Sequence, residues 1–457
     1  MRNGGSMRLT ILGGGGFRVP LIYRALLADQ GEGRVNDVTL HDLDKTRLAA
    51  ILRVLREQAG DDPGAPRVTA TTDLTEALTG ADFVFFAVRV HGLEGRAIDE
   101  RVALDEGVLG QETVGAGGVS YGLRTVPVAV EVARRTAEVA PDAWVINFTN
   151  PAGMVTEAMS RHLGERVIGI CDEPVGLGRR VLAAVGAGPG DVRLDYVGLN
   201  HLGWLRGVHV GHRDLLPGLL DNPVALASFE EGRLFGAEWL RTLGAVPNPY
   251  LHYYYYNREA VAAARAARQT RGAYLLEQQS RFYASLEGER EPAYPAWQST
   301  RHQRELTYMA ENRAAAGAGA RDTSDLESGG YEQVALALMR AIARDERADL
   351  ILNVRNGGTL GLLDADAVIE VPCLVDAAGA HPYPAAPLPG YAAGLVTAVK
   401  AVERQVIEAA TTGSRAAALR ALATHPLVDS VAVARRLLDR YQDQLPELAY
   451  LRAGKVE

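Results

Sequence analysis

The sequence predicts an α/β fold in which a Rossmann-like, doubly wound parallel sheet is followed by an α+β domain. Three observations predict it. Short apolar segments alternate with helical patterns over the first 170 residues, four glycines separate the first apolar segment from the first helix, and long Ala- and Arg-rich helical patterns dominate the remainder. Parallel strands joined by helices need right-handed crossovers, which cover both faces of the sheet with helices. We therefore expect a first domain over residues 1–170 and a second over residues 171–457.

The strands expected in the first domain are short and apolar. Phe83–Val88 (FVFFAV) is continuously apolar, which is typical of a strand buried on both faces. Pro20 fits the first turn of a helix over Phe17–Asp29, because the first N–H groups of a helix have no partner within it. The remaining expected elements are strands over Arg8–Leu12, Val38–His41, Trp144–Phe148 and Val167–Cys171, and a helix over Val128–Val139.

Helical patterns dominate the second domain, and short strand patterns interrupt them. The expected helices cover Arg258–Leu286, Tyr331–Ala348 and Ala392–Thr411, and the expected strands cover Ile351–Arg355 and Ala367–Pro372. Segment 312–330 is poor in bulky apolar residues, so we expect a mobile loop or linker there.

The composition excludes several classes of partner. The 457 residues carry a net charge of −8 and contain no basic block, so nucleic acid and anionic membranes are not expected partners. No run of 18 or more apolar residues occurs, so we expect no transmembrane helix. The two cysteines, Cys171 and Cys373, cannot build a disulfide framework, which indicates a reducing cytoplasm.

The glycine run marks the predicted cofactor loop. It lies between a strand and a helix, where glycine lets the backbone approach a pyrophosphate at the helix N-terminus. Asp42 ends the next strand, where an acidic side chain binds a ribose 2′-hydroxyl and favours NAD over NADP. Arg18 occupies the sixth position of the fingerprint in place of glycine, and a tight turn without a ligand is the alternative. The residues assigned to NAD are Gly13, Gly14, Gly15, Phe17 and Asp42.

A cysteine and a histidine form a second group of candidate residues. Cys171 ends a strand at the carboxyl edge of the sheet, where ligands of such sheets bind, Asp172 follows it, and His201 lies in GLNHLG. A thiolate and a neutral imidazole are good ligands for a borderline divalent metal. Two ligands are too few for a structural site but leave positions open for substrate oxygens. The alternative is a small buried cysteine and an unrelated hydrogen-bonded histidine.

Four further residues carry both a functional and a structural interpretation. Asn150 in NFTNP either contacts a ligand at the edge of the sheet or forms a turn before Pro151. Arg96 either clamps a phosphate or carboxylate or pairs with an acidic residue three or four positions on. Tyr250 begins a tyrosine cluster that should mostly pack, although one phenol could be a base if a metal or an arginine lowered its pKa. Arg271 is either solvated or a second contact to an anion.

At these motifs the chain resembles the NAD- and divalent-metal-dependent family 4 glycoside hydrolases, which do not rely on the usual pair of carboxylates. The likeness runs from end to end and rests on ILGGGGF, NFTNPAG, GICDEP, GLNHLGW, NPYLHYYY, NVRNGG and EVPC. Within that family the chain is most similar to the 6-phospho-β-glucosidases, and to an actinobacterial branch of them. The resemblance also implies a homodimer or a homotetramer.

The resemblance implies a role for each candidate residue. Cys171 and His201 match the ligands of a divalent metal, usually Mn²⁺, and Tyr250 matches the base that removes a carbon-bound proton. Contacts to the phosphorylated sugar are matched by Arg96, Asn150 and Arg271. Asp172 matches a position where phospho-α-glucosidases carry an acid and many phospho-β-glucosidases carry Asn, so the anomeric preference stays open.

The reaction that the resemblance implies is hydrolysis of 6-phospho-β-glucosides by NAD-assisted oxidation, elimination, water addition and re-reduction, with NAD recycled. One alternative is an ordinary NAD-dependent hydroxy-acid dehydrogenase, similar in its first half to lactate and malate dehydrogenases, which would accumulate NADH without a metal. Another is a non-catalytic, NAD-responsive sugar-phosphate binder. The sequence does not fix the aglycone, the gluco or galacto preference, or the metal used in the cell.

Overall fold

The computed structural model describes residues 7–188, 192–288, 291–307, 313 and 330–452. The expected loop over 312–330 lies outside the described residues, apart from its positions 313 and 330. The strands in chain order are β1 (Met7–Leu12), β2 (Val35–His41), β3 (Arg67–Thr71), β4 (Phe83–Phe86), β5 (Trp144–Asn147), β6 (Val167–Gly169), β7 (Val192–Leu199), β8 (Leu202–Val210), β9 (Arg213–Asp214), β10 (Val246–Pro247), β11 (Ala348–Arg355), β12 (Val368–Asp376) and β13 (Gly379–Pro382).

Helices connect and cover these strands. In chain order the α-helices are α1 (Val19–Ala28), α2 (Lys45–Ala59), α3 (Leu74–Leu78), α4 (Gly92–Asp105), α5 (Gly115–Val139), α6 (Ala152–Leu163), α7 (Glu173–Ala184), α8 (Leu216–Leu220), α9 (Pro223–Ala227), α10 (Glu230–Phe235), α11 (Ala237–Leu243), α12 (His252–Tyr255), α13 (Asn257–Ala266), α14 (Arg271–Ser285), α15 (Ala293–Leu306), α16 (Tyr331–Arg344), α17 (Gly390–Thr412), α18 (Arg415–Thr424) and α19 (Val431–Gln444). Short 3₁₀ helices cover Gly164–Arg166, Pro249–Leu251 and Pro446–Leu448.

The first six strands form the doubly wound parallel sheet that the sequence predicts. Their order is β3-β2-β1-β4-β5-β6, and every neighbouring pair is parallel. This is the strand order of a dinucleotide-binding fold, whose ligands bind beyond the carboxyl ends of the strands where the order reverses. The strand order reverses between β1 and β4, and the glycine run directly follows β1. The fold therefore directs the glycine loop and the carboxyl end of β4 toward one crevice.

The sheet continues into the second half of the chain. Antiparallel strands extend it beyond β6 in the order β11-β12-β7-β8-β10, and Asn353 of β11 pairs with Gly169 of β6. The boundary proposed between residues 170 and 171 is therefore crossed by one continuous sheet, and the division into two domains stays a prediction. Within the part of the chain that is described, no helix is both long and apolar enough to span a bilayer.

Two of the expected helices have different bounds in the structure. The single helix expected over Arg258–Leu286 is wrong: α13 ends at Ala266, and α14 begins at Arg271 after Thr270, whose hydroxyl accepts a hydrogen bond from the N–H of Ala273 at 3.3 Å. Such a side-chain cap starts a new helix. The helix expected from Val128 instead begins at Gly115 and continues through Pro127, because tertiary packing overrides the low helix propensity of its glycines and proline.

Candidate functional site

One cavity of about 1320 Å³ lies at the carboxyl edge of the parallel strands. It is larger than the roughly 300–1,000 Å³ of a pocket for one small ligand, so it has room for a dinucleotide and a second molecule. The candidate residues on its wall are Gly13, Phe17, Asp42, Arg96, Asn150, Cys171, Asp172, His201, Tyr250 and Arg271. The structure therefore brings candidate residues from both halves of the sequence to one cavity.

The glycine loop packs directly onto the ends of the neighbouring strands. The N–H groups of Gly13 and Gly14 both donate to the carbonyl oxygen of His41, at 2.9 and 2.8 Å. Gly13 has a φ of +85°, and a Cβ there would lie 2.4 Å from the carbonyl oxygen of Ala87. A Cβ on Gly14 would lie 2.7 Å from Cβ of Leu40. Only glycine fits this turn, which leaves the cradle that a pyrophosphate needs.

Asp42 is fixed beside the same loop. Its Oδ2 accepts a hydrogen bond from the N–H of Gly15 at 3.0 Å, and its Oδ1 accepts one from the N–H of Asp44 at 3.1 Å. Gly14 and Gly15 do not themselves line the cavity; they pack behind its wall. Asp42 itself lies on that wall, beside the glycine loop.

Helices from the second half of the chain hold the glycine loop from outside, which the sequence did not indicate. The hydroxyl of Tyr283 on α14 donates to the carbonyl oxygen of Gly15 at 2.7 Å, and Nε1 of Trp297 on α15 donates to that of Phe17 at 2.8 Å. The ring of Phe17 packs edge-to-face on Phe282, with the ring centroids 5.2 Å apart. Phe17 is thus a packing residue of the loop as well as a wall residue.

Cys171 lies just beyond β6, buried in the wall of the cavity. Burial raises the pKa of its thiol well above the ordinary value, and the negative charges of Glu370, Asp172 and Glu173 raise it further. Thiolate formation therefore needs a compensating positive charge. A divalent cation that binds sulfur supplies one.

His201 forms the turn between β7 and β8 together with Asn200. Its φ of +61° is uncommon for a residue other than glycine, and such conformations are concentrated at functional sites. Burial lowers the pKa of its imidazole to about 4, so the ring is neutral near pH 7 and retains a lone pair for a metal. Nδ1 lies 3.0 Å from Oγ1 of Thr113. Among the described residues, no cluster of three or more His, Cys, Asp or Glu side chains has a metal-binding arrangement, so the Cys171–His201 pair is the candidate.

Tyr250 lies against His201. The two rings are parallel, with centroids 3.7 Å apart and an interplanar angle of 1°. Asn248 fixes the turn that carries Tyr250, because its Oδ1 accepts a hydrogen bond from the N–H of Tyr250 at 3.0 Å. Arg96 is close enough for its charge to interact with Tyr250. The metal candidate, the base candidate and an arginine are therefore neighbours.

Most of the tyrosine cluster packs, as expected. The hydroxyl of Tyr255 accepts a hydrogen bond from Nε1 of Trp204 at 2.9 Å, and that of Tyr256 donates to the carbonyl oxygen of Phe235 at 2.9 Å. Neither residue lines the main cavity.

Arg96 proves to be both an ion-pair partner and a cavity residue. Its Nε donates to Glu100 at 2.8 Å, the partner four positions on, and its second ion pair joins NH1 to Glu112 at 2.7 Å. Asp99, the other candidate partner, instead makes a buried ion pair with Arg124 at 2.7 Å. Two carboxylates hold the guanidinium of Arg96 in place on the cavity wall.

Arg304 was not identified from the sequence, yet it lines the same cavity as Arg18, Arg96 and Arg271, which together form its arginine-rich end. Desolvation lowers the pKa of its guanidinium, and the positive charges of Arg18, Arg271 and Arg96 lower it further. Its side chain makes no hydrogen bond or ion pair with any residue that the structure describes. Such a group is stabilised by a bound anion.

Arg271 lies next to Arg304 and is partly buried. NH1 of Arg271 donates to Oγ1 of Thr307 at 2.6 Å, and NH2 donates to the carbonyl oxygen of Arg304 at 2.8 Å. Its guanidinium is thereby held at the same end of the cavity as those of Arg96 and Arg304. This favours the anion-contact interpretation over the solvated one.

The two asparagines of NFTNP have different positions. Asn147 is fully buried, and its Nδ2 donates to the carbonyl oxygens of Thr149 and Ala152 and to Oγ1 of Thr156. It therefore stabilises the start of α6. Asn150 lies on the cavity wall, where it can contact a ligand.

A buried carboxylate that the sequence analysis did not single out connects three of the motifs. Glu370 of EVPC accepts hydrogen bonds from Asn200 at 3.1 Å, from Asn353 at 2.9 Å and from the hydroxyl of Tyr196 at 3.0 Å. Burial raises its pKa to about 7. The polar residues of GLNH, NVRNGG and EVPC thus form one hydrogen-bonded network beside Cys171. In the sequence, an acidic residue inside an otherwise apolar strand could have indicated this buried carboxylate.

Comparison with known proteins identifies the family. Residues 8–187 match the model described as family 4 glycosyl hydrolase, and residues 196–428 match that of the family 4 glycosyl hydrolase C-terminal domain. The chain belongs to the family 4 glycosyl hydrolases. The resemblance drawn from its motifs is confirmed, and the chain is a glycosidase rather than an ordinary dehydrogenase or a non-catalytic binder.

Two curated relatives are similar over almost their whole length. A 6-phospho-β-glucosidase of Escherichia coli is 31% identical, and the alignment covers 97% of each chain. A maltose-6′-phosphate glucosidase of Bacillus subtilis is 30% identical, with 95% of this chain and 94% of that protein covered.

Solved structures agree with the fold. The 6-phospho-β-glucosidase of Thermotoga maritima, solved with manganese, NAD⁺ and glucose-6-phosphate, superposes with a TM-score of 0.81 at 27% identity and covers 98% of this chain and 100% of that one. A malate dehydrogenase of Cryptosporidium parvum superposes with a TM-score of 0.50 at 12% identity, covering 89% of this chain and 100% of that one, and shows the shared architecture alone.

Proposed function

We propose that the protein hydrolyses 6-phospho-β-glucosides with NAD as a recycled cofactor and a divalent cation, Mn²⁺ by preference. The observation that carries this proposal is the common cavity. Its wall contains the glycine loop with Asp42, the Cys171–His201 pair with Tyr250 against it, and an arginine-rich end. The relatives named for phosphorylated substrates, and the Thermotoga structure with manganese, NAD⁺ and glucose-6-phosphate, support the same assignment.

The cofactors fit the residues present. The glycine cradle and Asp42 would hold NAD, while the sulfur of Cys171 and the neutral imidazole of His201 would hold the cation. When bound, NAD supplies a reversible hydride acceptor and the cation supplies a Lewis acid for the sugar oxygens.

The protein's own groups supply binding and proton transfer. Arg96, Arg271 and Arg304, together with Asn150, bind the phosphorylated end of the sugar, and this binding energy positions the reacting carbons. Tyr250 accepts the carbon-bound proton next to the oxidised position. Asp172 protonates the leaving oxygen. The carboxylate of Asp172 lies 3.9 Å from Arg18 and is only partly buried. Solvent can therefore reach this carboxylate.

Asp172 also supports a second candidate, a 6-phospho-α-glucosidase of the same family. The similarity to the maltose-6′-phosphate glucosidase is nearly equal to that of the β relative. Parallel assays with the α- and β-anomers of nitrophenyl 6-phosphoglucoside decide between the two candidates. Hydrolysis of the β-anomer alone supports the proposal, and hydrolysis of the α-anomer alone replaces it.

The same substrate tests the reaction class. We expect nitrophenol release from the 6-phospho-β-glucoside to require NAD and Mn²⁺, to stop on addition of a chelator and to leave the NADH concentration low. Steady accumulation of NADH without nitrophenol release would contradict a recycled cofactor. If nitrophenol release were unchanged both without NAD and with a chelator, the whole proposal would be contradicted.

Replacing Arg304 with Met is expected to impair use of the phosphorylated substrate. The loss of about 1.5–3 kcal/mol from charged hydrogen bonds corresponds to about a 10–150-fold fall in kcat/KM. Steady-state kinetics on phosphorylated and unphosphorylated glucosides measure it. The selectivity for phosphate should fall with the variant; an equal loss on both substrates would show that Arg304 stabilises the fold instead.

We also propose a cytoplasmic location and a homo-oligomeric assembly. The two free cysteines and a phosphorylated substrate class support a cytoplasmic location. A homodimer or homotetramer is supported by the family resemblance alone.

A further inference from the structure

The ring of His201 is anchored through one of its two nitrogens. Nδ1 lies 3.0 Å from Oγ1 of Thr113. Thr113 lines a small separate cavity of about 40 Å³ behind His201 and is not part of the wall of the main cavity, whereas His201 lines both. No described residue makes a hydrogen bond to Nε2. The two nitrogens of His201 therefore have different surroundings, and which of them carries the proton decides which can bind a cation.

The orientation of Gln111 is fixed by the backbone. Its Oε1 accepts hydrogen bonds from the N–H groups of Thr113 at 2.6 Å and of Val114 at 2.8 Å. An amide nitrogen cannot accept either bond, so the oxygen must occupy this position. Gln111 thus presents a fixed acceptor next to Thr113.

This acceptor determines the direction of the hydroxyl of Thr113. Oγ1 of Thr113 lies 3.1 Å from Oε1 of Gln111, and a carbonyl oxygen can only accept. The single hydroxyl proton therefore goes to Gln111, since the opposite arrangement would place two lone pairs against each other. Oγ1 must then accept a hydrogen bond from His201, which requires a proton on Nδ1.

We infer that Gln111 and Thr113 are positioning residues that lock His201 in its Nδ1–H tautomer and leave the lone pair on Nε2 as the ring's only acceptor. In metal sites, a partner on the second ring nitrogen fixes the tautomer and the orientation of a ligating histidine. That the lone pair binds a cation rests on the proposed function, whereas the tautomer does not.

The local sequence packs these two residues tightly. A Cβ on Gly117 would lie 2.0 Å from the carbonyl oxygen of Gln111, and one on Gly118 would lie 2.4 Å from that of Thr113. The glycines at the start of α5 therefore let the helix close onto the loop that carries Gln111 and Thr113. The same packing accounts for a helix that begins on residues with low helix propensity.

Nitrogen-15 NMR of the metal-free protein labelled at histidine tests the tautomer directly. The signals of His201 are assigned by their absence in His201→Gln. We expect protonated Nδ1 and unprotonated Nε2 in the wild type and in Thr113→Ser, which keeps the hydroxyl, and a mixture of tautomers in Thr113→Val, which removes it. A wild-type ring protonated at Nε2, or a Thr113→Val ring with the wild-type pattern, would overturn the inference.

Titration with Mn²⁺, followed by the electron paramagnetic resonance signal of the free ion, tests the consequence. Thr113→Val should bind Mn²⁺ about 10–100-fold more weakly than the wild type, as is typical when such a partner is lost, with NAD affinity unchanged as evidence of folding. Mn²⁺ affinity equal to that of the wild type in Thr113→Val would overturn the positioning role. If the wild type shows the Nδ1–H tautomer but does not bind Mn²⁺, the tautomer assignment is supported and the proposed metal site is contradicted.

Discussion

Replacing Tyr250 with Phe is expected to lower kcat by about 10²–10⁴-fold, the contribution typical of a positioned general base. The substitution removes only the phenolic oxygen, so the ring still fills the space against His201, at a centroid distance of 3.7 Å. The affinities for NAD and Mn²⁺ should therefore persist. Steady-state kinetics combined with binding titrations of both cofactors measure the effect.

Tyr256→Phe is the matched control for this prediction. It removes a tyrosine hydroxyl from the same segment, but that hydroxyl bonds to the carbonyl oxygen of Phe235 and lies outside the main cavity. We expect its kcat to equal that of the wild type. Wild-type kcat in Tyr250→Phe would exclude Tyr250 as the base. If Tyr250→Phe lost its NAD affinity as well, the residue would serve packing instead.

Replacing Cys171 with Ser is expected to weaken Mn²⁺ binding by more than about 100-fold. Loss of a residue that only hydrogen-bonds to a metal ligand already lowers metal affinity by about 10–100-fold, and Cys171 is proposed to be a ligand itself. The variant keeps the shape of the side chain but removes a soft thiolate ligand. Hydrolysis at limiting Mn²⁺ should fall in parallel, while NAD binding remains. A titration of free Mn²⁺ by electron paramagnetic resonance, with wild type and variant side by side, measures the loss.

The second cysteine supplies the control for this prediction. Cys373 is buried in β12, where its Sγ donates to the carbonyl oxygen of Val371 at 3.4 Å, and it does not line the cavity. Cys373→Ser should therefore bind Mn²⁺ like the wild type. Equal Mn²⁺ affinity in Cys171→Ser and wild type would show that the cation binds elsewhere.

The fold was predictable where local patterns and packing agree. The apolar run FVFFAV predicts a central strand, and β4 is indeed flanked by β1 and β5. The start of α5 was not predictable, because its glycines disfavour a helix until the loop with Gln111 and Thr113 packs onto them. Similarly, the break between α13 and α14 depends on the single cap of Thr270, which a continuous pattern of alanine and arginine conceals.

The candidate site shows the same limit. Cys171, His201 and Tyr250 could be proposed as site residues because they lie in motifs that match the family, although each residue taken alone also fits a structural role. Arg304 lies in a helix rich in charged residues, and its significance depends on the other arginines that folding brings near it. Glu370 is likewise one acid in a strand until Asn200 and Asn353 approach it. Long-range contacts of this kind cannot be predicted from the spacing of residues along the sequence.

The most direct measurement of the central claim, redox-assisted elimination in this one cavity, uses a 6-phospho-β-glucoside carrying deuterium at carbon 2. Proton NMR or mass spectrometry of the glucose-6-phosphate product reports whether that deuterium survives turnover in ordinary water. We predict its replacement by a solvent proton, because Tyr250 removes it and exchanges it before the ring is reprotonated. Complete retention of deuterium in the product would contradict elimination and would indicate direct hydrolysis instead.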